Sequence, residues 1–218
     1  MGSCTMQPFL GILLGMLLAL VAKSYSLSCI QCSSETSTYC TGSSVSCSSG
    51  SLCTVIYTVQ TIGNSSLTSY TMTCAPQSQC DVNGTISITG SNVKMASSCC
   101  STDNCIPYLP SLPADSSVSN GLRCRSCISS YSTWCSSLVN IQCTGNETMC
   151  LLQTKTQSGS RTMALRGCAT QSICDLKSQS YKVSGLSTNI EYICTSGGNI
   201  NSFCILNVVC ILLLKLLF

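Results

Sequence analysis

The sequence predicts a small, all-β, disulfide-rich protein built from two tandem copies of one module. Three observations carry this. Cysteine supplies 21 of the 218 residues, a density that marks a disulfide scaffold in an oxidising compartment. The cysteines repeat: Cys29, Cys32, Cys40, Cys47, Cys53, Cys74, Cys80 and Cys99 are each matched 94 to 97 residues later by Cys124, Cys127, Cys135, Cys143, Cys150, Cys168, Cys174 and Cys194. Finally, the runs between cysteines are β-branched and broken by turn residues, with no sustained helical periodicity outside the two chain ends.

Residues 1–26 read as a signal peptide. Phe9 to Ala22 is apolar but too short to span a bilayer, and Ser24 and Ser26 place small residues at −3 and −1 of a cut before Leu27. Removing the leader takes away Cys4, and removing an apolar tail takes away Cys204 and Cys210, which leaves an even 18 cysteines. Thiolate zinc sites are the competing use of Cys29-x-x-Cys32 and Cys124-x-x-Cys127. The other cysteines are widely scattered and the leader directs the chain to an oxidising compartment, so disulfides are the expected state and no metal or cofactor is implied.

The first module spans 27–106. Thr54 to Thr61 is a β-former run, Gly63 to Ser66 supplies a turn, and Leu67 to Thr73 returns to Cys74. A later pair of runs from Gly84 to Ser98 turns at Thr89 to Asn92. The doublet Cys99-Cys100 followed by Cys105 ends this module, and adjacent cysteines each need a partner elsewhere. Residues 107–120 form a linker, since Pro107, Pro110 and Pro113 stiffen the chain toward polyproline II. The second module, 121–201, repeats the hairpins as Leu151 to Thr156 with Thr162 to Gly167, and as Leu176 to Ile193 around Ser184 to Leu186. Modules this small and this rich in Ser, Thr and Gly bury little apolar surface. Bridges worth ~2–4 kcal/mol each are therefore expected to supply much of their stability, as fingers projecting from a cross-linked base.

The order C-x2-C, spaced cysteines and a Cys-Cys-x4-Cys closure resembles the three-finger superfamily of lymphocyte antigen 6 and the urokinase receptor. The resemblance covers both modules and implies two tandem three-finger (snake-toxin-like) domains. It implies the pairs Cys29–Cys53, Cys32–Cys40, Cys47–Cys74, Cys80–Cys99 and Cys100–Cys105, then Cys124–Cys150, Cys127–Cys135, Cys143–Cys168 and Cys174–Cys194; spacing alone leaves 105 pairings open for eight cysteines. Two departures stand out: Ile106 replaces the family's asparagine after its last cysteine, and Thr195 and Ile200 replace the closing bridge in the second module. The motifs Asn120-Gly121-Leu122-Arg123-Cys124 and Arg166-Gly167-Cys168-Ala169-Thr170 resemble the two-module, gamma-type phospholipase A2 inhibitors. That resemblance implies a non-enzymatic protein that binds a secreted phospholipase. Related two-module proteins are cell-surface receptors or secreted, pheromone-like signalling ligands, which is the alternative.

Residues 203–218 form the apolar tail. Sixteen residues make ~24 Å of helix, short of a ~30 Å hydrocarbon core. A glycolipid-anchor signal fits better, with Ser196, Gly197 and Asn199 as attachment candidates before the tail. The chain would then sit on the outer leaflet of the plasma membrane; secretion is the alternative.

Residues 27–202 carry eight Lys or Arg against seven acids, too even for a nucleic-acid footprint. The halves differ, with a balance of −2 up to residue 107 and +4 from residue 121. Lys155, Arg161 and Arg166 flank the second module's hairpin turn, with Arg123 and Arg125 nearby in sequence; an ordinary solvated basic face is the first expectation, and a fingertip that contacts an acidic partner is the sharper alternative. Sequons at Asn64, Asn83 and Asn146 are candidates for glycosylation. Trp134, Tyr57, Tyr70, Tyr131, Tyr181 and Tyr192 are expected to pack, with interface anchoring as the second use. With no histidine and singly scattered acids, no catalytic constellation is legible.

Overall fold

The computed structural model describes residues 26–159, 162–183 and 185–196. The predicted leader (except Ser26), the apolar tail, Arg161, Gly197 and Asn199 lie outside those residues. In the first module the strands are β1 (Ser28–Ser34), β2 (Ser43–Ser46), β3 (Ser51–Ile62), β4 (Ser65–Pro76), β5 (Asn83–Ile88) and β6 (Ser91–Cys100). In the second they are β7 (Ser119–Arg125), β8 (Cys127–Ser129), β9 (Asn140–Thr144), β10 (Met149–Gln157), β11 (Thr162–Ala169), β12 (Ser178–Val183) and β13 (Leu186–Ser196). One helical turn, α1 (Gln171–Cys174), joins β11 to β12.

The β3–β4 hairpin is the longest antiparallel pairing, running in register from Ser51↔Pro76 to Ile62↔Ser65. Its two-residue turn places Gly63 at φ 57°, a left-handed conformation that costs glycine nothing. Both faces of β3 are covered. Val55 packs with Tyr70, Met72 and the Cys32–Cys40 bridge on one side, while Ile56, Thr58 and Gln60 face the other. This is why the run is continuously β-branched and does not alternate with polar residues.

Nine bridges cross-link the described chain: Cys29–Cys53, Cys32–Cys40, Cys47–Cys74, Cys80–Cys99, Cys100–Cys105, Cys124–Cys150, Cys127–Cys135, Cys143–Cys168 and Cys174–Cys194. At each base two bridges stack, with Cys29 Sγ 3.1 Å from Cys47 Sγ and Cys124 Sγ 3.4 Å from Cys143 Sγ. The sulfur trios Cys29, Cys47, Cys74 and Cys124, Cys143, Cys168 have metal-like proximity. All six are oxidised, however, and offer no thiolate. The Cys100–Cys105 loop holds the start of β1: Asn104 N–H donates to Ser28 O at 2.7 Å, and Ser28 N–H donates to Asp103 Oδ1 at 2.8 Å.

The modules are not beads on a string. β11 pairs with β5 at Cys168↔Ser87 and Ala169↔Ile86, so one eleven-stranded sheet runs through both in the order β12-β13-β10-β11-β5-β6-β3-β4-β1-β2, with β8 on the β11 edge. The largest core cluster straddles the seam, joining Val82, Ile86 and Ile88 to Leu151, Leu165, Ala169, Ile173 and Tyr192. Glycine permits this approach. A Cβ on Gly167 would lie 2.0 Å from Ser87 O, and one on Gly84 would meet Thr170, Ile173 and Ser172 side chains within 2.7 Å. The sheet then curls, bringing edge strand β12 back beside β4 and β1.

The proline segment is docked along the first module. Pro107 and Pro110 are buried, Asn83 Nδ2 donates to Ser111 O at 2.8 Å, and Lys94 Nζ pairs with Asp115 Oδ2 at 2.6 Å.

Candidate binding surfaces

The curled sheet has an inner and an outer face, and strand alternation decides which residues occupy each. On β10, Leu151, Gln153 and Lys155 point inward, opposite Gly167, Leu165 and Met163. Leu152, Thr154 and Thr156 point outward, opposite Arg166, Ala164 and Thr162. Lys155 and Arg166 therefore lie on opposite faces of the sheet. Of the residues named for a basic fingertip, Lys155 and Arg166 do not share a surface, because clustering in sequence does not survive the period-two alternation of a strand; Arg161 lies outside the described residues. Lys155 lines an internal cavity, and Arg166 is engaged by an aromatic ring.

That ring belongs to Trp134. The Arg166 guanidinium carbon sits 4.0 Å from its centroid, a cation–π contact that holds the indole on the outer face. The indole is 58% exposed even so, in the loop between β8 and β9. The same loop exposes Tyr131 at 89% and Leu138 at 92%, and Val139 is half exposed. The Cys127–Cys135 bridge and the Ser126 N–H bond to Val139 O (2.9 Å) tie the loop at both ends. Next to it, Arg123 and Arg125 lie two positions apart on β7 and are exposed, with Arg125 opposite Asn140. No acidic residue occurs between Gly121 and Asn146. The equivalent loop of the first module, Ser33 to Gly42, carries Glu35 among serines and threonines and exposes one large side chain, Tyr39.

The aromatics thus divide between the two expected uses. Tyr70 and Tyr192 are buried and Tyr57 is partly so, whereas Tyr131 and Trp134 face solvent; the side chain of Tyr181 is not among those described. Trp134, for which packing is the first expectation, is instead exposed on the β8–β9 loop. The available signal was composition: Tyr131, Trp134, Leu138 and Val139 fall within nine acid-free residues, shortly after two arginines.

Asn64 is exposed at the tip of the β3–β4 hairpin. Asn83 and Asn146, far apart in sequence, line one polar cleft of about 590 Å³ on the inter-module seam. Beside them Glu147, 3% exposed, is held by Ser87 Oγ at 2.6 Å and Thr85 Oγ1 at 3.0 Å, both donating to its Oε1. Ser196 ends β13 opposite Met149, and Thr195 lies opposite Cys150.

The u-PAR/Ly-6 domain model matches this chain twice, over residues 25–107 and 120–204. The chain belongs to the u-PAR/Ly-6 domain family. Among curated relatives, the phospholipase A2 inhibitor 25 kDa subunit of Naja kaouthia is 29% identical over 106 residues, which is 47% of this chain and 57% of that protein. The chain therefore spans a little over half the length of that relative. Among solved structures, mouse TEX101 aligns over 78% of this chain and 98% of its own, with 17% identity and a TM-score of 0.34. As a two-module member of the u-PAR/Ly-6 family, the chain is all-β and disulfide-rich. Among the described residues, no helix is long and apolar enough to cross a membrane.

Proposed function

We propose that this u-PAR/Ly-6 chain is an extracellular, non-enzymatic binding protein that docks an acidic protein partner on the β8–β9 loop of its second module. The observation that carries this is Trp134 presented on Arg166, in a loop that also exposes Tyr131 and Leu138 and ends beside Arg125 of β7. Exposed aromatic and arginine side chains on a tethered loop are the residue types that dominate binding energy. The adjoining unpaired cations select for opposite charge and raise the association rate. The absence of histidine and the oxidation of every described cysteine support the non-enzymatic reading.

The similarity to a phospholipase A2 inhibitor subunit supports a secreted phospholipase as the specific partner. The tail pattern of residues 203–218 supports a glycolipid anchor on the outer leaflet, attached at Ser196, Gly197 or Asn199. The same tail supports the second reading, a surface receptor, because a freely diffusing inhibitor needs no tether. Two measurements test this. Release of the protein from intact cells by a phosphatidylinositol-specific phospholipase is expected; a mature chain still containing Lys215 by mass spectrometry overturns the anchor. In surface plasmon resonance against a secreted phospholipase A2, Trp134→Ala and Arg125→Glu should each weaken binding at least tenfold. Binding untouched by both variants removes the loop as the docking face. No binding by the wild type removes the phospholipase and leaves the receptor reading.

A further inference from the structure

Inside the curled sheet lies a cavity of about 300 Å³, walled by the inner faces of both modules. Its floor continues the shared core: Ile86 and Met95 come from the first module, Leu165 and Ile190 from the second. One charged residue reaches it. Lys155 lines the cavity half-buried, and no aspartate or glutamate is among the lining residues. The only ion pair among the described residues is Lys94 with Asp115, so Lys155 has no counter-ion there. The nearest acid along the paired strand, Glu191, sits opposite Thr154 and faces the other side of the sheet.

An ammonium beside Met163 and Ile190 without a counter-ion is unfavourable, and an anion brought to it offsets that cost. Polar and apolar side chains are interspersed in the lining, with Thr58, Gln60, Thr71, Gln153 and Gln179 among the isoleucines and methionines. Gln153, Leu165 and Tyr192 share one register level, and Lys155 lies one level nearer the hairpin tip, with Met163 and Ile190 beside it. A guest would meet the cation at Lys155 and hydrocarbon at Ile86, Met95 and Leu165. The volume is at the low end for a small-molecule site. At ~30 Å³ per water-sized group, it holds about ten such groups, enough for one short chain and too few for a two-chain lipid.

We propose that this cavity binds a single-chain anionic amphiphile, with its acid group on Lys155 and its chain against Ile86, Met95 and Leu165. The site is separate from the β8–β9 loop, and either can hold if the other fails. The test uses the disulfide-intact full chain secreted from cultured cells. Isothermal titration calorimetry with decanoate should show one saturable site, while decyltrimethylammonium should show none. Lys155→Gln should weaken decanoate at least tenfold with unchanged binding of neutral decanol, and Lys155→Arg should restore decanoate. Native mass spectrometry of the freshly secreted protein should release a lipid acid. Equal affinity for decanoate and decyltrimethylammonium overturns the proposal, as does indifference to Lys155→Gln, no binding of decanoate, or a co-purifying peptide in place of a lipid acid.

Discussion

Ser87 of the first module donates a 2.6 Å hydrogen bond to the buried carboxylate of Glu147 in the second. Thr85 Oγ1 donates to the same oxygen, and Thr144 N–H donates to the other carboxylate oxygen at 3.3 Å. A seam that could have been apolar alone is thereby given one orientation, because a buried carboxylate tolerates few arrangements of its donors.

Glu147→Ala should therefore cost about 2–3 kcal/mol, the range for leaving buried donors without their charged acceptor. The sequon at Asn146 survives this change. Thermal unfolding should shift to lower temperature, and the single transition should split as the two modules uncouple. A variant that unfolds like the wild type would show that the bond orders the seam without stabilising it.

Gly167→Ala tests the seam from the backbone side. Its Cβ would fall 2.0 Å from Ser87 O, a distance that only separation of β11 from β5 can relieve. Amide exchange at Ile86 and Ala169 should rise at least tenfold, with exchange along the β3–β4 hairpin unchanged.

Removing Cys100–Cys105 as a double serine variant should be milder than removing Cys29–Cys53. The closed loops differ, with sequence separations of 5 and 24. Loop-closure entropy then assigns about 2 kcal/mol to the short bridge and about 3.5 kcal/mol to the long one. Denaturant midpoints on the two double mutants check the order.

Burial pushes the Tyr70 phenol above its ordinary value of 10.0. The folded state thus favours the neutral phenol, and this contribution is complete below the unfolded value and lost as pH rises through the folded one. Melting temperature should fall above about pH 10, and Tyr70→Phe should flatten that fall. An identical slope in the variant would assign the alkaline loss to other groups.

Trp134→Ala should separate stability from recognition. An exposed cation–π contact is worth about 0.5–1 kcal/mol, so the melting temperature should move by only a few degrees while partner binding collapses. A large loss of stability with intact binding would place the indole in the core's service and not the partner's.

The elements were legible because each rests on local chemistry. The β3–β4 and β10–β11 hairpins announce themselves as β-branched runs around Gly63-Asn64 and Ser158-Gly159. α1, at four residues, is too short to leave a periodic trace. The facing of the basic residues was not legible: Lys155 and Arg166 are eleven residues apart and on paired strands, but the register Leu152↔Arg166 sends them to opposite faces.

The chain by itself determined the class, the duplication and the hairpins, since cysteine spacing and strand periodicity are properties of neighbouring residues. Only the tertiary structure decided that Ser87 meets Cys168, that Glu147 is a bolt between modules, and that Lys155 is the one charged residue lining a cavity shared by both modules. The first two are contacts across 81 and 60 positions of sequence, with no composition or period of their own; closure of the sheet creates them. Where module one closes with Cys100–Cys105, the second has Thr195 in β13, paired with Cys150 of β10.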